Sequence, residues 1–100
     1  MIKHIVMFKM KEFGSETEKA RNSKKLKSAL DALPNIISEI KFFEVGLNFA
    51  ESPRAFDLVL ISHFDSNQDL DKYRVHPEHK KVLILVRELT ELSQVVDYED

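Results

Sequence analysis

The order of hydrophobic and polar positions along the chain predicts four strands and two helical regions. From Lys3 to Lys11, β-branched and large apolar residues follow one another without Gly or Pro, which is typical of a strand. A helix is expected from Glu16 to Leu33, because Ser15 starts a capping-box pattern and leucines recur at helical spacing behind it. The remaining pattern predicts a long second strand (35–49), a third strand (55–64), a short helix from about residue 66, a stronger helix after residue 76 and a last strand (93–99).

This element order, β-α-β-β-α-β, predicts a ferredoxin-like α+β fold with an antiparallel four-stranded sheet. Helices cover one face of such a sheet, yet apolar residues occupy both faces here. The second face, which we expect Val6, Phe8, Leu60 and Val95 to line, should not remain in water. The sequence therefore predicts a homodimer whose copies pack sheet against sheet, and a charge placed at Phe8 or Val95 should weaken its assembly.

Length, composition and net charge restrict the class of protein and the kinds of partner that it can bind. A chain of 100 residues fits one domain, residues 1–100, and 43% hydrophobic with 32% charged residues is typical of a folded soluble protein. The net charge of −2 does not favour nucleic acid or an anionic membrane as a partner, and no apolar run approaches the length of a membrane span. The absence of cysteine excludes disulfides and thiolate metal sites, and it favours a cytoplasmic location.

The stretch YRVHPEH, residues 73–79, contains the candidate chemistry. Pro77 fits the first position of a helix, which makes His76 the expected N-cap and His79 the third helical residue. The helix dipole disfavours a positive charge there, so His79 should stay neutral near pH 7 and accept a proton. Asp97 in the last strand is a candidate partner that would fix the tautomer of His79, and the hydroxyl of Tyr73 could orient a carbonyl group.

Structural interpretations of the same residues remain open. His79 could simply hydrogen-bond a backbone group at a helix start, and Tyr73 could be an ordinary tyrosine at the edge of the core. A histidine such as His4, on an apolar strand face, is more often a buried hydrogen-bonded residue than a catalyst. A metal site at His76 and His79 is disfavoured, because no third ligand is evident.

Three segments, KHIVMFKMK, DKYRVHPEHKKV and VVDYE, resemble the stress-responsive A/B barrel (Dabb) family in their order and spacing. The resemblance spans nearly the whole chain and implies a dimeric α/β barrel. It also implies a relation to olivetolic acid cyclase, a plant polyketide cyclase in which residues matching His79 and Tyr73 act as general acid/base and substrate holder. Residues matching His4 and Asp97 belong to the same pocket. Leu58 stands where that cyclase has a further pocket histidine, so a different substrate is expected.

These observations predict a site in which His79 and Tyr73 are catalytic and a mostly apolar lining binds the substrate. The lining is expected to comprise His4, Val6, Phe8, Leu60, Val82, Val95 and Asp97. The expected function is acid/base catalysis on a small carbonyl or polyketide-like compound, of cyclase or isomerase type, without metal or cofactor. Two alternatives remain: a non-catalytic stress-response or small-ligand-binding dimer, and a cofactor-free monooxygenase.

Overall fold

A computed structural model describes all residues, 1–100, and confirms the ferredoxin-like α+β fold. The strands pair antiparallel in the spatial order β2-β3-β1-β4, with the three helices packed against one face of the sheet. The strands are β1 (Ile2–Met10), β2 (Phe42–Leu47), β3 (Leu58–Phe64) and β4 (Thr90–Glu99), and the helices are α1 (Glu16–Asp31), α2 (Asn67–Val75) and α3 (Pro77–Leu89).

Side-chain caps fix the first residue of each helix. The hydroxyl oxygens of Ser15 and Ser66 accept hydrogen bonds of 3.1 Å from backbone N–H groups in the first turns of α1 and α2. His76 caps α3 in the same way, because its Nδ1 accepts from the backbone N–H of Glu78 at 3.1 Å. Serine caps stabilise a helix by about 1 kcal/mol. No helix is both long and apolar enough to cross a membrane.

The core lies between the helices and the even-numbered residues of β1 and β3. Phe8 is 5% exposed, and Met10 and Phe64 are fully buried. Their packing partners are leucines of α1 and α2 together with Tyr73 and residues on the inner face of α3. This alternation in two neighbouring strands places one complete sheet face under the helices.

The predicted assignment of sheet faces is wrong. Val6 lies directly opposite Leu60 on one side and Val95 on the other, so these residues share a face with Phe8, and that face is the one under the helices. The bare face instead carries a different apolar set: Ile5, Met7, Phe42, Val59, Ile61, Leu92, Val96 and Tyr98. A charge at Phe8 would therefore disrupt the core and not an interface.

Several predicted boundaries also differ from those observed. The second strand begins at Phe42 and not at Asn35, because Leu33–Asn35 forms a 3₁₀ turn and the apolar Ile37 is buried without strand pairing. The third strand begins at Leu58, after a loop that follows β2. The last strand begins at Thr90, directly after α3, so β4 is longer than predicted.

Candidate functional site

A cavity of about 260 Å³ lies between the helix-covered sheet face, α3 and the edge strand β4. All of the residues predicted from the sequence to form the site line this cavity: His4, Val6, Phe8, Leu60, Tyr73, His79, Val82, Val95 and Asp97. The cavity is on the helix side of the sheet, because the face formed by Val6, Phe8, Leu60 and Val95 is the one that the helices cover. Five further lining residues were not predicted: Leu30, Arg74, Leu83, Val86 and Ser93.

A larger groove of about 380 Å³ lies between α1 and the loop from β2 to β3. Its lining is mainly polar, with Leu47 and Phe49 as its large apolar residues, and includes the ion pair between Lys19 and Asp57, whose charged atoms are 3.2 Å apart. No histidine or tyrosine reaches it. The candidate site is therefore the smaller cavity, which His4, Tyr73 and His79 line.

The hydrogen bonding of His79 fixes which ring nitrogen is available. Its Nδ1 is 3.1 Å from the backbone carbonyl oxygen of Arg74. Because a carbonyl oxygen only accepts, Nδ1 must carry the hydrogen, and Nε2 of the neutral ring has a free lone pair. Burial lowers the pKa of His79 below its usual 6.5, the Arg74 carbonyl acts in the opposite direction, and nearby His4, Arg74 and His76 lower it further. The ring is thus a neutral base at pH 7.

Asp97 is hydrogen-bonded to His4 and not to His79, so the predicted pairing is wrong. Residue 97 lies directly opposite residue 4 in the register of β4 on β1, and its Oδ1 is hydrogen-bonded to Nδ1 of His4. Its Oδ2 accepts from Nη2 of Arg74 at 2.8 Å. The strand register brings Asp97 to His4, whereas the break between α2 and α3 at His76 brings the carbonyl of residue 74 to His79.

The ring of Tyr73 lies next to the rings of both His4 and His79. Its side chain is fully buried, and its ring centroid lies 4.3 Å from that of His79 and 6.0 Å from that of His4. Its hydroxyl is buried and has no hydrogen-bond partner within the protein, and no other side-chain atom in the chain combines these properties. Burial raises the pKa of Tyr73 well above its usual 10, so the hydroxyl remains a neutral donor.

The unpartnered hydroxyl predicts an unusual effect of substitution. Tyr73→Phe should raise the free energy of unfolding, by about 1–3 kcal/mol, because it removes a buried polar group that no hydrogen bond stabilises. Chemical denaturation of both proteins at one protein concentration measures the difference. A loss of stability on substitution would show that the hydroxyl is already satisfied in the folded protein.

The lowered pKa of His79 makes stability depend on pH in a defined direction. Between its folded-state pKa and 6.5, the unfolded chain binds a proton that the folded chain does not, so stability decreases as the pH falls below 6.5. Wild-type protein should therefore lose more stability between pH 7 and pH 5 than the His79→Gln variant. Denaturation at both pH values tests this, and an equal loss in the two proteins would contradict it.

Arg74 is the one charged residue among the five lining residues that the sequence did not predict. Its backbone carbonyl binds His79, and its guanidinium binds Asp97. One signal was present, since a carboxylate within an apolar strand requires a partner. The sequence did not indicate which cation would supply it.

Comparison with known proteins identifies the family. The family model described as Stress responsive A/B Barrel Domain matches residues 2–100. The chain belongs to the Dabb family. This Dabb chain is 31% identical to an uncharacterised protein of Streptomyces coelicolor over 99% of both chains.

Solved structures show the same fold. A dimeric protein of unknown function and ferredoxin-like fold from Bacteroides fragilis is 37% identical to this Dabb chain, with a TM-score of 0.88 over 99% of this chain and 95% of that one. A hydroxynitrile lyase from Passiflora edulis has a TM-score of 0.81 over 97% of this chain and 90% of that one. At 20% identity, the lyase shares the fold, which does not determine the reaction.

Proposed function

We propose that this Dabb protein is a cofactor-independent acid/base catalyst that transfers protons on a small carbonyl compound. One observation supports this above all: the neutral imidazole of His79, with its Nε2 unpartnered, and the ring of Tyr73, with its unpartnered buried hydroxyl, line the same mostly apolar cavity with their centroids 4.3 Å apart. His79 provides the base, and Tyr73 provides the hydrogen-bond donor. Catalytic acid/base pairs combine a proton acceptor that is neutral at the working pH with a preorganised hydrogen-bond donor.

The proposed step is proton abstraction next to the carbonyl group. Nε2 of His79 removes a proton from the α-carbon, and the electrons of that C–H bond form an enolate with its charge on oxygen. The hydroxyl of Tyr73 donates a hydrogen bond to that oxygen, and the Nδ1–H of the imidazolium stays bound to the carbonyl of Arg74. The imidazolium then returns the proton to carbon or to a newly formed alkoxide. An isomerase and an aldol-type cyclase share this first step.

The proposed substrate differs from that of olivetolic acid cyclase, whose relation to this chain rests on the sequence resemblance. Leu58, at the position of a further pocket histidine of the cyclase, is 2% exposed and belongs to the core. It does not line the cavity. A compact ketone or β-diketone with an apolar or aromatic group fits the lining around Val82 and Val95 better than a more polar polyketide.

We also propose that the chain is a homodimer formed through the bare sheet face. Met7 is 43% exposed and Val96 is 60% exposed there, and all four strands contribute apolar side chains to this face. A sheet face of this composition is rarely left in water. The dimeric state of the protein from Bacteroides fragilis, at 37% identity, supports the proposal.

Exchange of α-protons with solvent tests the proposed reaction before any complete substrate is known. Small ketones and β-diketones are incubated with the protein in D₂O, and loss of the α-proton signal is followed by NMR. The expected result is exchange faster than in buffer of the same pH for at least one apolar compound. Absence of catalysed exchange for all compounds that bind would contradict the proposal.

A second candidate function is ligand binding without catalysis. The mostly apolar lining favours it, because such a surface binds small molecules whether or not they react. The same experiment distinguishes the two functions. If the protein only binds the compound, the resonances of cavity residues shift, but the α-proton exchange rate stays at its value in buffer.

A further inference from the structure

We propose that Arg74 is a positioning residue, which orients His4 through Asp97; the consequence for catalysis rests on the proposed function. The guanidinium lies at the end of α2 and binds two carboxylates. Nη1 is 3.2 Å from Oδ1 of Asp71 on the same helix, and Nη2 is 2.8 Å from Oδ2 of Asp97 on β4. Arg74 thereby connects the helical side of the cavity to the edge strand.

The two oxygens of Asp97 have separate partners. Oδ1 is hydrogen-bonded to His4, and Oδ2 accepts from Arg74. The carboxylate is 31% exposed on an edge strand, so a carboxylate without a second partner would be free to rotate toward water. The guanidinium on Oδ2 removes that freedom and keeps Oδ1 directed at the imidazole.

The orientation of His4 follows from this arrangement. A carboxylate oxygen accepts, so Nδ1 of His4 carries the hydrogen, and Nε2 has no partner within the protein. The ring lines the cavity beside Tyr73. His4 is therefore held as a second polar group for the substrate, and Arg74 acts on it without touching the substrate itself.

The two contributions of Arg74 are separable by substitution. Its guanidinium acts on His4, whereas its backbone carbonyl acts on His79. Every substitution at this position keeps the carbonyl. Removing the side chain should therefore free the ring of His4 to reorient and leave the tautomer of His79 unchanged. A general loss of structure would instead affect both histidines.

NMR of the imidazole N–H groups tests the proposal in the intact protein without any substrate. In wild-type protein, we expect a resolved resonance from Nδ1–H of His4, protected from exchange by the carboxylate. Arg74→Leu should lose this resonance through exchange with water, and Arg74→Lys should restore it, because an ammonium group can still pair with Asp97. The Nδ1–H of His79 should be retained in all variants and serves as the internal reference for folding.

The matched control is Arg21→Leu. Arg21 lies on α1 and pairs with Glu18, three residues earlier, in the same way as Arg74 pairs with Asp71. The control variant should leave the resonance of His4 at its wild-type position. Persistence of that resonance in Arg74→Leu, equal loss in Arg21→Leu, or no recovery in Arg74→Lys would each overturn the proposal. Failure of the proposed catalysis would instead appear as absent α-proton exchange with these resonances behaving as expected.

Discussion

Replacing His79 with alanine is expected to slow catalysed α-proton exchange by roughly 10²–10⁴-fold, the usual contribution of a general acid/base group. Nε2 of this residue is the proposed proton acceptor, because the ring is neutral at pH 7 and the Arg74 carbonyl fixes its tautomer. The rest of the lining would remain, so ligand affinity should change far less than the exchange rate. The measurement is the rate of deuterium incorporation by wild-type and variant protein at saturating ligand.

His76→Asn is the matched control for this prediction. His76 lies three residues before His79 but caps α3 and does not line the cavity, and asparagine is a good N-cap. This variant should exchange α-protons at close to the wild-type rate. If His79→Ala exchanges α-protons at the wild-type rate, His79 is not the base, and its role is only the hydrogen bond to the Arg74 carbonyl at the start of α3.

A lysine at Met7 is expected to convert the proposed dimer into monomers. Met7 is 43% exposed at the centre of the bare face, so a single folded chain tolerates a lysine there, whereas a dimer must bury its charge. A two-fold interface contains every substitution twice. At about 3 kcal/mol for an unpaired buried charge, the dissociation constant should rise more than 100-fold. Sedimentation at micromolar concentration should shift from about twice the chain mass of 11.7 kDa to that mass.

Ile84→Lys is the control for the assembly experiment. Ile84 is 54% exposed on α3, on the other side of the molecule from the bare face, so a lysine there should leave the dimer intact. Dissociation by Ile84→Lys and not by Met7→Lys would place the interface on the helical side. A wild-type protein that sediments as a monomer would contradict the dimer itself.

Local sequence signals predicted the order of elements and most of the site. Ser15 and Ser66 mark helix starts because capping is a short-range interaction, and Pro77 fixes the position of His79 in its helix for the same reason. The period-2 alternation of β1 correctly grouped His4, Val6 and Phe8 on one face. Capping, the position of Pro77 and strand alternation depend only on residues close together in the chain, so a single sequence is enough to predict them.

Tertiary arrangement accounts for the predictions that were wrong. Alternation groups residues by face but does not specify which face the helices cover, so Val6 and Phe8 were assigned to the wrong side. The partner of Asp97 depends on the register between β1 and β4, which are 93 positions apart at His4 and Asp97. The contribution of Arg74 arises where α2, α3 and β4 meet, and no local pattern specifies that meeting point.

The position of a bound ligand tests the central claim, that the cavity beside Tyr73 and His79 is the functional site. Nuclear Overhauser contacts between a bound carbonyl compound and the protein locate the ligand directly. The expected contacts are to the ring protons of Tyr73 and His79 and to the methyl groups of Val82 and Val95, which line the cavity. Contacts confined to the groove between α1 and the β2–β3 loop, around Phe49, would contradict the claim.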